Sequence, residues 1–222
     1  MNFMSDHLVL GIETSGIRCS VAWWQNESIL LEYNLERKNE HAVLLAAFVE
    51  RGFKELGINP NTVTHVAIGS GPGSFTGLRI GMSYAKGFCF GRNIPLIPVT
   101  NFELLSDLAE NHKFPIYTLI EAGRANYYTG IFNHKKSNLD QQYLSSVSQL
   151  KKELSQNGQF IVHEEESKGY FKQFLGNTFQ VVDGQYRAAR LCSLGYYKHL
   201  QGSLLKLNEI EPLYLQKFAG VS

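Results

Sequence analysis

The chain has 222 residues, of which 44% are hydrophobic, and its 21 basic and 20 acidic residues give a net charge of +1. This length fits one large domain or two small ones, and the apolar content excludes a disordered chain. The balanced charge gives no general electrostatic case for strong nucleic-acid binding, although it leaves room for a local basic patch. No apolar run approaches the length that crosses a membrane.

The first residues and the cysteines indicate where the protein works. Residues 1–6 contain no cationic segment followed by an apolar core, so we expect no secretory signal. Cys19, Cys89 and Cys192 are scattered among apolar residues without CxxC spacing, which is typical of reduced thiols in a core. We therefore expect a cytoplasmic protein with three packed cysteines.

The first third of the chain predicts an antiparallel meander. Residues 7–12, 18–25 and 28–35 are short runs rich in apolar and β-branched side chains, as strands usually are. The turns between them are short, and short turns join antiparallel neighbours. Residues 13–16 form the first of these turns. We expect three antiparallel strands at the start of one sheet.

A helix is predicted at 40–56, and Gly57 is its natural end. Its core stripe is formed by large and small apolar residues at helical spacing: Leu45, Phe48, Val49, Gly52, Phe53 and Leu56. Val43 and Ala47 lie on the opposite side, with Leu44 near them. The helix therefore carries more apolar surface than one core face requires.

A strand, a glycine-rich loop and a second helix are predicted at 65–90. Residues 65–68 are apolar and indicate a short buried strand. The glycines and the proline at 69–73 exclude a continued strand or helix. Ser74 or Thr76 can cap the helix that follows at 78–90.

Loops of this kind often present backbone N–H groups to phosphate at a helix N-terminus. The usual phosphate motifs are absent, however. Leu78 follows Gly77 where a P-loop needs lysine, and Ser74 stands where GxGxxG spacing needs its third glycine. The alternative is a tight turn with close packing between helix and sheet, and the residues favour it.

The helix after the loop is apolar on two sides. One face carries Leu78, Met82, Ala85 and Cys89, flanked by Gly81 and Phe88. The other carries Ile80, Tyr84, Gly87 and Gly91, with Ser83 beside them. A surface helix is normally polar on its outer side, so this pattern indicates burial on both sides. One side can cover the sheet, and the other needs a second helix or another protein.

The remaining residues predict the end of the first half and a smaller second half. A strand at 95–99 precedes a helix that Asn101 is expected to cap and that extends to about Glu110. The expected elements of the second half are strands at 116–121 and 126–132 around a turn at 122–125, a polar loop at 133–138, a short helix at 147–154, a strand at 160–163, a helix at 170–175 and a strand at 179–182.

A long helix is predicted at 185–201. Its apolar residues lie on one face: Ala188, Leu191, Cys192 and Gly195. With that face the helix can pack back on the first half. We expect a first half at 1–112, which contains the glycine loop and the two-sided helices, and a smaller second half at 113–222.

No motif commits the chain to catalysis. The seven histidines show no HxxxH or HExxH spacing and no cluster with cysteine, so we expect no metal site. Ser74 lies in a glycine loop, but its surroundings differ from the GxSxG elbow of hydrolases. His41, at the start of the first long helix, is expected to make a capping or partner contact. We expect no catalytic residue.

Residues 71–81, Gly-Pro-Gly-Ser-Phe-Thr-Gly-Leu-Arg-Ile-Gly, resemble the signature of the bacterial TsaB (YeaZ) family. The segment 211–215 resembles the PLYLR-like end of that family, with Gln216 in place of the arginine. The order of three strands, helix, strand, helix, strand and helix fits the same assignment. The resemblance implies an α/β, actin/sugar-kinase/Hsp70-like (ASKHA) fold with two ribonuclease-H-like halves, the second of them reduced.

Two stretches depart from the family pattern. Glu13-Thr14-Ser15 stands where the family often has Asp-Thr-Ala, and Glu121-Ala122-Gly123-Arg124 stands where it usually has Asp-Ala-Arg. In this superfamily the turn after the first strand contacts phosphate and metal. The resemblance thus gives a set of candidate phosphate or nucleotide contacts: Glu13, Thr14, Ser15, Gly71, Gly73 and Ser74. The alternative is that Thr14 and Ser15 only cap the turn.

The resemblance implies a non-catalytic scaffold or activator subunit. Such a subunit pairs with the transferase TsaD as a heterodimer, and the small ATPase TsaE joins them. The assembly adds threonylcarbamoyl to the adenosine next to the tRNA anticodon. We expect no cofactor or metal in the isolated chain, with ATP and metal on the partner subunits and tRNA contacted through the complex.

The surplus apolar residues of the two helices are the expected partner-binding set: Val43, Leu44, Ala47, Ile80, Ser83, Tyr84, Gly87 and Gly91. Two other functions stay open. The glycine loop and the Glu13 turn would suit a small nucleotide-binding phosphotransferase of the same fold. The two-sided helices would also suit a self-associating protein, including a homodimer that forms without the partner.

Overall fold

The computed structural model describes residues 7–37, 39–108, 115–123, 126–132, 139, 141–146, 149–150, 159–163, 180–202 and 205–215. The chain divides into two compact units. The first combines Met1–Val99 with Tyr186–Pro212, and the second combines Thr100–Gln185 with Leu213–Ser222. The boundary between the two halves is predicted near residue 112. This residue belongs to the segment 109–114, which lies outside the described residues.

The first unit contains a mixed sheet with strand order β3-β2-β1-β4-β5. Its strands are β1 (Leu8–Glu13), β2 (Arg18–Gln25), β3 (Ser28–Glu36), β4 (His65–Gly69) and β5 (Leu96–Val99). The pairs β1/β2 and β2/β3 are antiparallel, which confirms the predicted meander. The pairs β1/β4 and β4/β5 are parallel. Every residue of β1 and β4 is buried.

Two long helices pack on this sheet, α1 (His41–Leu56) and α2 (Phe75–Phe90), and a short 3₁₀ helix at Pro60–Thr62 lies between them in sequence. Gly57 ends α1 with a φ of 63°, a left-handed conformation that glycine adopts without strain. The predicted core stripes are confirmed. Leu45, Val49 and Phe53 of α1 are buried, and Met82 of α2 is buried with them in one cluster.

A further helix, α4 (Ala188–Leu200), packs against β1, β2, β4 and β5 of the same unit. This is the helix predicted at 185–201. Its buried face consists of small and apolar residues: Ala188, Ala189, Leu191, Cys192 and Gly195. The helix lies close to the sheet because Gly195 carries no side chain, and a methyl group there would lie 2.7 Å from Cβ of Ala67.

The start of α4 is held by Glu32 of β3. One carboxylate oxygen, Oε1, accepts a hydrogen bond from the Ala189 N–H at 3.1 Å, and the other, Oε2, pairs with the Arg187 guanidinium. The Ala188 N–H donates to Ser20 Oγ at 3.1 Å. These side chains satisfy N–H groups that a helix start leaves without partners.

We expect Glu32→Ala to lower the free energy of unfolding by about 1–3 kcal/mol, because the Ala189 N–H would lose its acceptor. Glu32→Gln is the matched control, since it keeps Oε1 and loses only the ion pair with an Arg187 side chain that is 53% exposed. Urea unfolding of both variants measures the difference. Equal losses in the two variants would show that the ion pair, rather than the helix contact, matters.

The second unit repeats the strand pairing of the first. Its strands are β6 (Ile116–Gly123), β7 (Asn126–Phe132), β8 (Gln141–Ser146), β9 (Gln159–His163) and β10 (Gln180–Gly184), in the order β10-β9-β6-β7-β8. Again three strands form an antiparallel meander and two more join it in parallel. The two units are therefore built on one plan.

Several details of the second unit differ from the sequence predictions. The helix α3 (Asn101–Ser106) is capped by Thr100 and not by Asn101: Thr100 Oγ1 accepts from the Glu103 N–H, while Glu103 Oε2 accepts from the Thr100 N–H at 2.6 Å. Because this capping box sets the start one residue earlier, Asn101 is inside the helix and buried. The helix ends at Ser106, not near Glu110.

The strand β8 was not predicted, because its sequence QQYLSS lacks a clear apolar alternation. Of the helix predicted at 147–154, the structure describes residues 149–150, and these two residues are helical. The loop predicted at 133–138 and the helix predicted at 170–175 lie outside the described residues.

Candidate functional site

The predicted partner residues belong to α1 and α2, two helices that pack against each other. We call them together the helix surface: Val43, Leu44 and Ala47 of α1 with Ile80, Ser83, Tyr84, Gly87 and Gly91 of α2 and its cap. Val43 is 74% exposed, and Ala47, Ser83, Gly87 and Gly91 are also exposed. Phe90, the last residue of α2, is 82% exposed, which is the largest exposure among the large hydrophobic residues described. The predicted partner residues do not include it.

Part of the helix surface belongs to the core of the first unit. Leu44, Ile80 and Tyr84 are half-buried and pack against the core cluster. Of the two alternatives for the second side of α2, a second helix or another protein, the structure shows a second helix over part of Ile80 and Tyr84. The physical reason is that α1 and α2 pack against each other, so residues between the two helices are partly covered.

A groove of about 510 Å³ lies between the two helices. Its lining combines aromatic, small and charged residues: Val49, Glu50, Phe53, Pro60, Ser83, Tyr84, Gly87, Phe88 and Arg92. The rings of Phe53 and Phe88 are nearly parallel, with centroids 6.1 Å apart. The Arg92 guanidinium lies 3.9 Å from the centre of the Phe88 ring. The groove is an apolar channel with one acidic and one basic residue in its lining.

The glycines of α2 have two different roles. A methyl group at Gly77 would overlap the carbonyl oxygen of Thr14, and one at Gly81 would overlap Thr14 Oγ1. At Gly87, in contrast, a methyl group would meet no atom of the described residues within 4 Å. Glycine within a helix costs about 1 kcal/mol relative to alanine. The packing of the described chain explains Gly77 and Gly81, and it does not explain Gly87.

The glycine loop is hydrogen-bonded to the turn after β1. The Ser74 N–H donates to the Ser15 carbonyl at 2.7 Å, and Thr14 Oγ1 donates to the Gly77 carbonyl at 2.7 Å. Ser74 caps α2 by accepting from the Gly77 N–H at 3.3 Å. Gly73 is required by close approach, because a methyl group there would lie 2.6 Å from the Ser15 carbonyl oxygen.

Glu13 ends β1 and is completely buried. Its Oε1 accepts hydrogen bonds from the N–H and the hydroxyl of Ser15. Its Oε2 lies against Gly69 and has no hydrogen-bond partner among the described residues. Burial raises the pKa of this carboxyl to about 7, and the hydrogen bonds from Ser15 oppose the shift only partly. Near neutral pH a much larger fraction of this carboxyl is therefore protonated than of an exposed glutamate.

The six candidate phosphate contacts do not form an exposed set. Glu13, Thr14 and Ser15 are 0%, 1% and 2% exposed, and Gly71 is buried. Gly73 is half-buried and Ser74 is exposed. The mutual hydrogen bonds between turn and loop favour the structural alternative, a tight turn with close helix–sheet packing. Phosphate contact by these residues stays a prediction.

The remaining candidate groups have structural surroundings. His41 Nε2 lies 3.1 Å from the Gly16 carbonyl and 3.2 Å from the Arg18 carbonyl, so it must carry the proton and donate to both. All three cysteines are buried and unpaired, and burial raises the pKa of Cys19 and of Cys89 to about 12. Such thiols are unreactive at neutral pH.

The described residues contain neither a metal-binding cluster nor a helix that could cross a membrane. No group of three or more histidine, cysteine, aspartate or glutamate side chains in them is arranged to hold a metal ion. Among the helices that the structure describes, none is long and apolar enough to pass through a lipid bilayer.

Comparison with known proteins gives relatives along most of the chain. The family model "TsaD: tRNA N6-adenosine threonylcarbamoyltransferase" matches residues 32–194, which is more than half of the chain. The tRNA threonylcarbamoyladenosine biosynthesis protein TsaB of Haemophilus influenzae is 26% identical over 96% of this chain and 95% of its own length. TsaB of Bacillus subtilis is 28% identical over 60% of this chain, which spans 58% of that protein.

Solved structures agree on the fold. YeaZ from Pseudomonas aeruginosa superposes with a TM-score of 0.75 at 21% identity, over 94% of this chain and 100% of that one. The ethanolamine utilization protein EutJ of Carboxydothermus hydrogenoformans superposes with a TM-score of 0.53 at 10% identity, over 87% of this chain and 90% of that one. With the repeated strand plan of the two units, these matches confirm the ASKHA-type α/β fold with ribonuclease-H-like halves. The chain belongs to the TsaB (YeaZ) family, within the group of proteins that the TsaD family model describes.

Proposed function

We propose that this chain is a non-catalytic subunit in the biosynthesis of threonylcarbamoyladenosine in tRNA, and that it binds a TsaD-type transferase through the helix surface. The observation that carries the proposal is the open space over Gly87. Glycine at position 87 lowers the stability of α2, and no contact within the described chain requires it. Close packing of another molecule against Gly87 would account for this glycine. The names of the TsaB relatives and of the TsaD family model point to the pathway and to the partner.

The composition of the helix surface suits a protein partner. Val43 on α1 and Phe90 on α2 are strongly exposed apolar side chains. Large apolar side chains are the usual anchors of an interface. The groove between the helices offers Phe53 and Phe88 as an apolar floor. A partner helix that crosses α2 at Gly87 could place a side chain in this groove, since no Cβ holds its backbone away.

The proposal assigns no catalytic step to this chain. The polar side chains in the turn after β1 are buried and hydrogen-bonded: Glu13 accepts from the Ser15 N–H, and Thr14 donates to the Gly77 carbonyl. In the proposed assembly, ATP and metal are held by the partner subunits, a TsaE-like ATPase takes part, and tRNA is contacted through the complex in the cytoplasm. The same helix surface would hold a second copy of this chain when the transferase is absent.

Reconstitution of threonylcarbamoyl transfer tests the proposal. We expect no turnover by this chain alone, and we expect transfer to tRNA by a TsaD-type transferase with its ATPase to depend on addition of this chain. Chromatographic detection of the modified nucleoside after digestion of the tRNA is the measurement. Steady turnover by the isolated chain, lost in Glu13→Ala, would contradict the proposal and support the nucleotide-binding phosphotransferase.

A further inference from the structure

Three histidines from three elements meet where the C-terminal end of α4 lies on the first sheet. His7 immediately precedes β1, His65 begins β4, and His199 is in the last turn of α4. The ring centres of His65 and His199 are 4.2 Å apart, those of His7 and His65 are 5.2 Å apart, and those of His7 and His199 are 6.3 Å apart. The distances place three imidazoles in one contact cluster.

Aromatic side chains surround this histidine cluster. The Tyr196 ring lies 5.2 Å from that of His7 and 5.0 Å from that of Trp24 on β2. His65 is only 5% exposed, and its Nδ1 lies 2.8 Å from Thr64 Oγ1. The Nδ1 atom of His199 is buried and has no hydrogen-bond partner among the described residues. Among the described residues, His65 and His199 therefore have little polar support for a positive charge.

Among the described residues, the carboxylate that contacts α4 lies away from the histidine cluster. Glu32 and Arg187 contact the first turn of α4, at its opposite end. Lys198, next to His199, is itself a cation, and Glu27 in the turn after β2 is exposed. The strand β5 contributes no ionisable side chain. The charged groups that shift the pKa of His65 are His199 and His7, and both lower it.

We propose that His65, packed against His7 and His199, forms an acid-sensitive latch, which holds the C-terminal half of α4 on the sheet while its imidazole is neutral and releases it when this imidazole becomes protonated. A positive charge on the buried His65 ring would have little water around it, and the neighbouring imidazoles would oppose it. Release of α4 exposes the His65 ring to solvent, where it can carry its charge.

The pKa of His65 sets the size and the sign of the pH effect on the packing of α4. Burial, followed by His199 and His7, lowers the pKa of His65 from 6.5 to about 4. Because the folded pKa is lowered, the stabilisation is complete above pH 6.5 and is lost as the pH falls towards 4. Between pH 7.5 and pH 5 this one group favours release of α4 by up to roughly thirty-fold.

Release of α4 would also affect the segment that follows it. Leu207 and Ile210 pack in or against the core cluster, and Glu211 pairs with Lys86 of α2 at 2.8 Å. This segment is connected to the end of α4 by only a few residues. The latch therefore controls how firmly the chain after α4 is held against α2.

Hydrogen exchange of the full chain at pH 7.5 and at pH 5, corrected for the intrinsic exchange rate, tests the latch. We expect protection of the amides at 195–200 to fall ten- to thirty-fold at pH 5, while α1 keeps its protection. In His65→Gln, which cannot become charged at this position, the fall should be at most a few-fold. His199→Gln removes one of the two charged neighbours that lower the pKa of His65 and leaves its burial, so its fall should lie between those of His65→Gln and the wild type. Lys198→Gln removes a neighbouring charge outside the cluster, and it should behave like the wild type.

Three results would overturn the latch. The first is equal protection of 195–200 at both pH values in the wild type. The second is a fall of the wild-type size in His65→Gln. The third is a simultaneous loss of protection in α1 and α4, which would show global acid unfolding. If His65→Gln does not fold, a fall in His199→Gln as large as that in the wild type overturns the latch.

Discussion

Gly77→Ala is expected to lower the free energy of unfolding by about 1–3 kcal/mol or more, whereas Gly87→Ala should raise it by up to about 1 kcal/mol. The two substitutions add the same methyl group to the same helix. At Gly77 the methyl group would overlap the backbone carbonyl of Thr14, which is held in a buried turn and cannot move aside cheaply. At Gly87 it would enter open space and gain only the better helix propensity of alanine.

Urea unfolding, monitored by circular dichroism, measures both changes in the free energy of unfolding. Gly81→Ala is a second substitution that we expect to lower this free energy. A methyl group at Gly81 would overlap Thr14 Oγ1 and lie 3.2 Å from Ile68 Cδ1. If Gly77→Ala were as stable as the wild type, the contact between loop and turn would be looser than the structure shows. A clear loss of stability in Gly87→Ala would place this glycine in the core of the unit.

Glu13→Gln is expected to make the protein more stable than the wild type above pH 7, with a gain of about 2–3 kcal/mol. The pKa of Glu13 is raised from 4.5 to about 7 by burial. A raised folded pKa means that the stabilisation is complete below pH 4.5 and is lost as the pH rises through 7. Glutamine keeps an oxygen that can accept from Ser15, and it cannot ionise.

Unfolding of the wild type and of Glu13→Gln between pH 5 and pH 9 measures the difference between their free energies of unfolding. This difference should be small at pH 5 and should grow until about pH 8. Glu27→Gln, at an exposed turn, is the control and should show no such trend. Parallel pH profiles of the wild type and Glu13→Gln would show that Glu13 is ionised in the folded protein without cost, for example through a cation bound at Oε2.

The sequence predicts elements well where local chemistry is strong. The meander β1–β3, the loop before α2 and the end of α1 at Gly57 all follow from turn and glycine signals, and the buried face of α4 follows from small residues at helical spacing. The strand β8 is an exception. Its polar sequence gains its conformation from pairing with β7, and such long-range pairing leaves no local signal.

The candidate site is predictable in outline only. Helical spacing indicates that α1 and α2 have apolar outer faces, but it does not show that the two helices cover Ile80 and Tyr84 between them. Phe90 was missed although it lies three residues after Gly87 and seven after Ser83, a spacing that places it on the same side. The different roles of Gly77 and Gly87 depend on Thr14, which is distant in sequence, so only the structure separates them.

Binding to a TsaD-type transferase tests the central claim most directly. Analytical ultracentrifugation of the wild type, Gly87→Arg and Ser28→Arg with the transferase is the measurement, after circular dichroism has shown that all three are folded. We expect the wild type and Ser28→Arg, which adds the same charge at the exposed start of β3, to bind equally. Gly87→Arg should bind at least about a hundredfold more weakly, because the new charge would be buried without a partner. Equal binding by Gly87→Arg, or no binding by the wild type, would contradict the account.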